Sequence, residues 1–342
     1  MTRNEWAQSL AYTALFLILA AILWLNALHF QEAGRDQDIY FSFVEGQRIL
    51  AGENPYARVL AGDFRTNDKY ATYFPLFYEL SALVQSAGLR DYESWLKFWR
   101  VLFALFDVGI TILLFDLCRR QGEWLLGVFA ALLWGLGRWS LFVVLIGQLD
   151  AMPIFFLLLT LSLLPGKPAL AFLLYGISLS LKQIGVFVFP LYLIWAWQSR
   201  PSEGVRAAVM ATGWIAAVPL LTALPFLIWN AEGFLASVLF SATRDARSHF
   251  GALSVDASLN LTGLTARLPM LIVFTCIYGL AILHRVGRYT ACLLIFMSFV
   301  GFNSVLYMHY PSWVVPFVPL AVLDQRTVSR KEGGEKDAAR RD

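Results

Sequence analysis

Apolar residues fall along this chain in long blocks, interrupted by short clusters of basic, acidic, Gly and Pro residues. A bilayer-spanning helix needs about 20 such residues, somewhat fewer where the helix is short or the bilayer thins locally. The pattern predicts ten spans: Leu10–Phe30, Phe98–Cys118, Leu125–Ile146, Met152–Leu164, Ala169–Leu181, Gly185–Trp197, Ala207–Trp229, Pro269–Leu283, Tyr289–Tyr307 and Pro311–Leu323. The stretch Leu76–Leu89 is also apolar, yet it carries Glu79 and Gln85 and runs into Arg90, Asp91, Glu93 and Lys97. It reads as an amphipathic helix on the membrane surface, not as a crossing. Apolar spacing in Ile39–Leu50 predicts another short helix that ends at Gly52, after which Asn54-Pro55 turns the chain.

Composition strengthens this reading. Of the 342 residues, 58% are hydrophobic and only 15% charged, with a mean hydropathy of +0.60. A soluble chain would be about 45–50% apolar and about 25% charged. Two soluble domains could not bury the surplus, so lipid must be its solvent. A soluble enzyme and a disordered protein are excluded. A net charge of +3 is too small to imply nucleic acid as partner. The first block, Leu10–Leu28, is longer than a signal-peptide core and lacks a following small-x-small site, so it is expected to stay as a span. Cys118, Cys276 and Cys292 are scattered through or beside apolar runs and read as buried packing residues, not as a disulfide frame or metal cluster. The fold class predicted is an all-α polytopic membrane protein.

Charge sets the expected orientation. The short connections at Arg119–Arg120, Lys167, Arg200–Arg206 and Arg285–Arg288 share one side with Arg3 and the basic tail Arg326–Arg341 under the ten-span layout. The opposite short loops hold only Arg138, Lys182, Arg244, Arg247 and Arg267 near their ends. The positive-inside rule then places both termini in the cytoplasm. Residues 1–323 form one transmembrane domain, with large extracytoplasmic loops at 31–97 and 230–268. The charged tail 324–342, free of aromatic residues, reads as a solvated, disordered segment. Compact loops and a short chain point to a prokaryotic plasma membrane. Function should face outward.

The first loop opens with Gly34-Arg35-Asp36-Gln37-Asp38-Ile39-Tyr40. Carboxylates at i and i+2 do not share a helix face, so the pair is expected in an extended or turning segment at the membrane surface. Such an acid can deprotonate a hydroxyl or, through oxygen, hold a divalent cation, which makes Asp36 and Asp38 the candidate metal ligands if there is a metal. A solvated juxtamembrane acidic pair explains the same spacing. Gly147-Gln148-Leu149-Asp150 puts an amide and a carboxylate close to hydrocarbon, where polar groups suggest a site; Asp150 could equally cap the helix that begins near Pro153. Asp107, inside a span, either bonds a neighbouring helix or lines a polar cavity. Lys182-Gln183 offers a cation and an amide where two short spans meet; Lys182 can hold a phosphate or snorkel to headgroups. Arg244 and Arg247 could grip a phosphate or touch lipid headgroups, and His309-Tyr310 sits with Asn303 and Tyr307 in what reads as an aromatic belt.

Taken in order, these pieces resemble one family. Asp-x-Asp-Ile-Tyr after the first span, Gly-x-x-x-x-x-Gly-x-Asn-Pro-Tyr over Gly46–Tyr56, and Tyr73-Phe74-Pro75-Leu76 are similar to the first-loop pattern of GT-C membrane glycosyltransferases. The branch most resembled is that of polyprenyl-phosphate-mannose-dependent mannosyltransferases. Gly147–Ala151, Leu181–Gln183 with Pro190, and His309-Tyr310 with Pro316 look like its later signposts. The resemblance implies a first-loop acid as catalytic base, with Asp38 the closer match and Asp36 beside it. It implies a polyprenyl-phosphate-sugar donor, mannose favoured, and a glycolipid, polysaccharide or protein acceptor, with inversion at the anomeric carbon. Lys182, Arg244, Arg247 and His309 are then the candidates for the donor phosphate. Tyr40, Gln148, Asp150, Gln183 and Tyr310 are the candidates for the substrate pocket. No cofactor is implied beyond a possible divalent cation at the acidic pair. The rival expectation from another class is a polytopic transporter or lipid flippase, and a third is a non-catalytic subunit of a glycosylation complex.

Overall fold

The computed structural model describes residues 3–30, 35, 37–60, 62, 71–243, 255–261, 263–303 and 306–324. All regular structure among the described residues is helical. In chain order the α-helices are α1 (Arg3–Leu28), α2 (Asp38–Leu50), α3 (Leu76–Ser86), α4 (Tyr92–Arg119), α5 (Trp124–Gly135), α6 (Arg138–Leu145), α7 (Ala151–Leu163), α8 (Pro168–Leu181), α9 (Phe189–Ser199), α10 (Gly204–Thr243), α11 (Val255–Ser258), α12 (Gly263–Ile282) and α13 (Arg288–Phe302). A last helical segment covers 317–324.

Five helical stretches are long and apolar enough to cross a bilayer: Glu5–Leu28, Tyr92–Arg119, Trp124–Leu145, Pro201–Phe240 and Thr265–Ile282. Their outer faces expose Leu10, Phe16, Leu105, Leu221 and Ile228, which water would penalise and lipid does not. The chain is therefore a multi-pass α-helical membrane protein. Other predicted spans are shorter than expected. Helices α7, α8 and α13 have 13, 14 and 15 residues, and at 1.5 Å per residue each falls short of a hydrocarbon core about 30 Å thick. The predicted span Gly185–Trp197 splits into a 3-10 turn, Gln183–Val188, and the 11-residue α9.

The breaks have local causes. Leu125–Ile146 is not one helix: α5 ends at Gly135 and α6 restarts after Gly137, whose extended backbone stops the ladder while Ser140 Oγ donates to the freed Trp134 carbonyl. Helix α10 overruns the predicted Ala207–Trp229 and takes up the start of the predicted second loop. Asn230 interrupts it with non-helical dihedrals (φ −158°, ψ 87°), and its Oδ1 accepts from Gly233 N at 2.8 Å, capping the continuation. Pro219, inside α10, cannot donate to the Ile215 carbonyl, and Gly176 of α8 lies directly against that oxygen, where a Cβ would collide. Cys118 and Cys292 are buried as expected; Cys276 is exposed on α12, toward the lipid side.

One large core joins α4, α5 and α7 to α10 with α12, α13 and the last segment, built around Ile154, Tyr192, Phe296 and Trp313. Helix α1 packs on α4 and α5 through Ile18, Ile22, Phe115 and Ala131. A second cluster lies where α2 and α3 meet the start of α4, around Phe43, Phe77, Trp95 and Trp99. Gly46 lets α3 lie close on α2, and there Ser81 Oγ donates to the Ser42 carbonyl at 2.9 Å and Gln85 Nε2 to the Phe43 carbonyl at 2.9 Å. This α2–α3 platform carries the site.

Candidate active site

Asp38 is the first residue of α2, so its carboxylate sits at the helix's positive end. It is half-buried, and its Oδ2 accepts from Tyr73 Oη at 3.3 Å and Gln148 Nε2 at 3.2 Å. Burial, reinforced by the Asp38 charge, pushes the Tyr73 phenol well above its ordinary range, so it stays protonated and can only donate to the carboxylate.

Tyr73 is itself held by the Asn-Pro-Tyr turn. Asn54 Oδ1 accepts from Tyr56 N at 2.9 Å, and the fully buried Tyr56 sends its hydroxyl 2.8 Å to the Tyr73 carbonyl. Tyr73 N donates in turn to Tyr78 Oη of α3 at 3.3 Å. The motif thus acts at one remove, by placing the side chain that grips Asp38.

On the other side of Tyr73 lies a buried ion pair. Lys182 Nζ is 2.9 and 2.8 Å from the two oxygens of Asp150, and Lys182 and Asp150 are 1% and 0% exposed. Trp313 Nε1 donates to Asp150 Oδ1 at 2.6 Å. Burial raises the Asp150 carboxyl, but the charges of Lys182 and His309 outweigh it and hold the group below the usual carboxylate range. Asp150 precedes α7 without making a side-chain cap, so the capping alternative is not realised. The Lys182 ammonium lies 5.2 Å from the centre of the Tyr73 ring, which joins the pair to the Asp38 group.

Gln183 Nε2 donates to the Thr72 carbonyl at 2.5 Å and pins the same loop from α8's side. His309 is buried, stacked parallel to Tyr307 at 5.6 Å and edge-on to Tyr310 at 4.9 Å. Tyr310 and Asp150 both act on the Tyr73 phenol, so these residues share one neighbourhood.

The fold therefore gathers Asp38, Gln148, Asp150, Lys182, Gln183, His309 and Tyr310 around Tyr73. Tyr40 is not among them: two residues past Asp38 on a helix it lies about 200° round the axis, and its ring meets Tyr92 edge-on at 5.0 Å. Asp36, Arg244 and Arg247 lie outside the described residues. No group of three His, Cys, Asp or Glu side chains suited to a metal occurs among the described residues. Two site residues escaped sequence reasoning. Tyr73 stood inside a quoted motif without a role, and Trp313 gave no signal because it lies in an apolar run.

Asp107, the other intramembrane acid, accepts from Trp134 Nε1 at 2.6 Å and Asn26 Nδ2 at 3.5 Å, tying α1, α4 and α5 together. It also lines a cavity of ≈ 10 Å³, shared with Arg100 and Gln148, about the size of one water. Both sequence alternatives for Asp107 thus hold at once. No family model, curated protein or solved structure matches this chain.

Proposed function

We propose that this protein is an integral-membrane glycosyltransferase of GT-C type. In this reading it moves a sugar, mannose favoured, from a polyprenyl-phosphate donor to a hydroxyl of an extracytoplasmic glycolipid, polysaccharide or protein. The observation that carries the reading is the Asp38 carboxylate, half-buried at a helix start and aimed by Tyr73 and Gln148 beside a buried Lys182–Asp150 pair. Ten crossings with both termini in the cytoplasm, in a prokaryotic plasma membrane, belong to the same proposal. The short helices then cross a locally thinned bilayer around the site.

The acceptor hydroxyl gives its proton to Asp38 as its oxygen bonds to C1 of the sugar. The C1–O bond to phosphate breaks on the opposite face, and its electron pair leaves on the polyprenyl phosphate, inverting the anomeric carbon. Charge grows on that phosphate, where fixed cations lower the barrier. Lys182 is engaged by Asp150, so in this scheme Arg244, Arg247 and His309 take the phosphate, while Lys182 keeps Asp150 and the Tyr73 loop in place. Asp36 orients Asp38 or shares a divalent cation with it.

The test is transfer of radiolabelled sugar from polyprenyl-phosphate donors to a lipid extract, with purified wild type against Asp38→Asn. Transfer that collapses in the variant is expected. Equal transfer by both would sink the assignment of the base.

One observation favours a second reading, a transporter or flippase. Helices broken at Gly137 and at Lys182–Val188 adjoin polar side chains, as in carriers whose discontinuous helices bind substrate. Wild type that moves the donor across vesicles without transferring its sugar would select it.

A further inference from the structure

The side chain that aims Asp38 depends on a residue one helix away. Gln148 follows the end of α6, an eight-residue helix closed by a Schellman turn. Gly147 takes φ +64°, its N–H donates to the Val144 carbonyl at 3.1 Å, and Gln148 N–H donates to the Val143 carbonyl at 3.0 Å. That turn leaves α6 with its last carbonyls, and its negative end, pointing into the protein.

Arg100 of α4 meets them. It is 5% exposed, with Nη1 3.1 Å from the Val144 carbonyl and Nη2 3.2 Å from the Leu145 carbonyl. A Cβ on Gly147 would stand 3.5 Å from Nη2, so the guanidinium lies flat against the turn itself. A planar fork satisfies two carbonyls at a fixed spacing, which an ammonium cannot do. The same residue borders the small cavity shared with Gln148 and Asp107.

We infer that Arg100 is a positioning residue for the site: by clamping the end of α6 it sets the Gln148 amide on Asp38. Among the described residues its hydrogen bonds go to the Val144 and Leu145 carbonyls and not to Asp38. The inference rests on the proposed transferase reading for its kinetic consequence, but its structural consequence stands without it.

Two measurements separate the two. Hydrogen exchange on wild type, Arg100→Gln and Arg100→Lys in detergent reports the clamp directly. The Gly147 and Gln148 amides should exchange at least about tenfold faster in Arg100→Gln, with the start of α2 following and Arg100→Lys between. Sugar transfer reports the consequence. Arg100→Gln should lower kcat roughly 10- to 100-fold with KM nearly unchanged, Arg100→Lys should recover part of it, and adding Arg100→Gln to Gln148→Ala should cost little more than Gln148→Ala alone. Unchanged exchange at Gly147 and Gln148 overturns the clamp. Kinetic losses that multiply in the double variant, or a normal kcat per folded molecule, overturn the positioning role. Wild type that transfers no sugar at all removes the transferase reading and leaves the exchange result to decide the clamp.

Discussion

Gln148 Nε2 lies 3.2 Å from Asp38 Oδ2, although 110 residues separate them along the chain. With Tyr73 Oη at 3.3 Å on the same oxygen, this contact converts a solvated acid into an oriented one. Both donors favour the carboxylate that a general base requires.

Asp38→Asn should lower sugar transfer by about 10²–10⁴-fold, the usual worth of a general base, while the protein still folds and elutes as wild type. Tyr73→Phe removes one donor and should cost about 10- to 100-fold, the range of one hydrogen bond to a charged group. Initial rates at saturating donor, paired with size-exclusion profiles, test both. If Tyr73→Phe were as damaging as Asp38→Asn, the phenol itself would be acting in the chemistry.

The Lys182–Asp150 pair should behave as a buried ion pair. Lys182→Met alone leaves an uncompensated buried carboxylate and should destabilise by about 3–5 kcal/mol. Asp150→Asn with Lys182→Met should recover more than half of that, because the amide oxygen can still accept from Trp313 Nε1. Thermal unfolding in detergent measures this, and equal losses in the single and double variants would refute the coupling.

Glu45 gives the α2–α3 platform a pH dependence. Burial pushes its carboxyl up from 4.5 to about 7, against the pull of Arg48 and Arg58. Between pH 4.5 and about 7 the unfolded chain has released this proton while the folded chain retains it. Stability must then fall as pH rises through that window, by on the order of 3 kcal/mol, and level off above it. Glu45→Gln should weaken the slope in melting curves taken from pH 5 to pH 8 without abolishing it, because burial also pushes the Glu79 carboxyl of α3 up to about 7. A slope unchanged in the variant would assign it to other groups.

Gly46→Ala sets two effects against each other. Alanine gains about 1 kcal/mol of helix propensity, but its Cβ would overlap Ser81 Oγ and stand 2.6 Å from Gln85 Nε2. Overpacking costs typically 1–3 kcal/mol, and here it also breaks the bonds to the Ser42 and Phe43 carbonyls. Net destabilisation is expected, eased by Gln85→Ala in the same chain. A more stable Gly46→Ala would mean that α3 can shift away freely.

The apolar blocks, the residues that punctuate them and the helix over Ile39–Leu50 could be read from sequence, because transfer into lipid and helix-breaking are local properties of a segment. Helix α2 starts at Asp38 and closes at Gly52, whose φ of +75° suits glycine. The acids worth inspecting were visible for the same reason: Asp38, Asp107 and Asp150 are costly wherever hydrocarbon is near. Their partners were not visible. Asp150 could cap α7 or pair with a cation; only packing of α8 and the segment at Trp313 against α7 gave it Lys182 and the indole. Span lengths stayed open too, since an apolar run specifies burial but not whether Gly137 or Asn230 breaks the ladder within it. Tyr73 and Arg100 acquire their roles from side-chain directions set by contacts far apart in the chain. Hydrophobic pattern decides which segments leave water; three-dimensional packing decides which polar groups meet once they have done so.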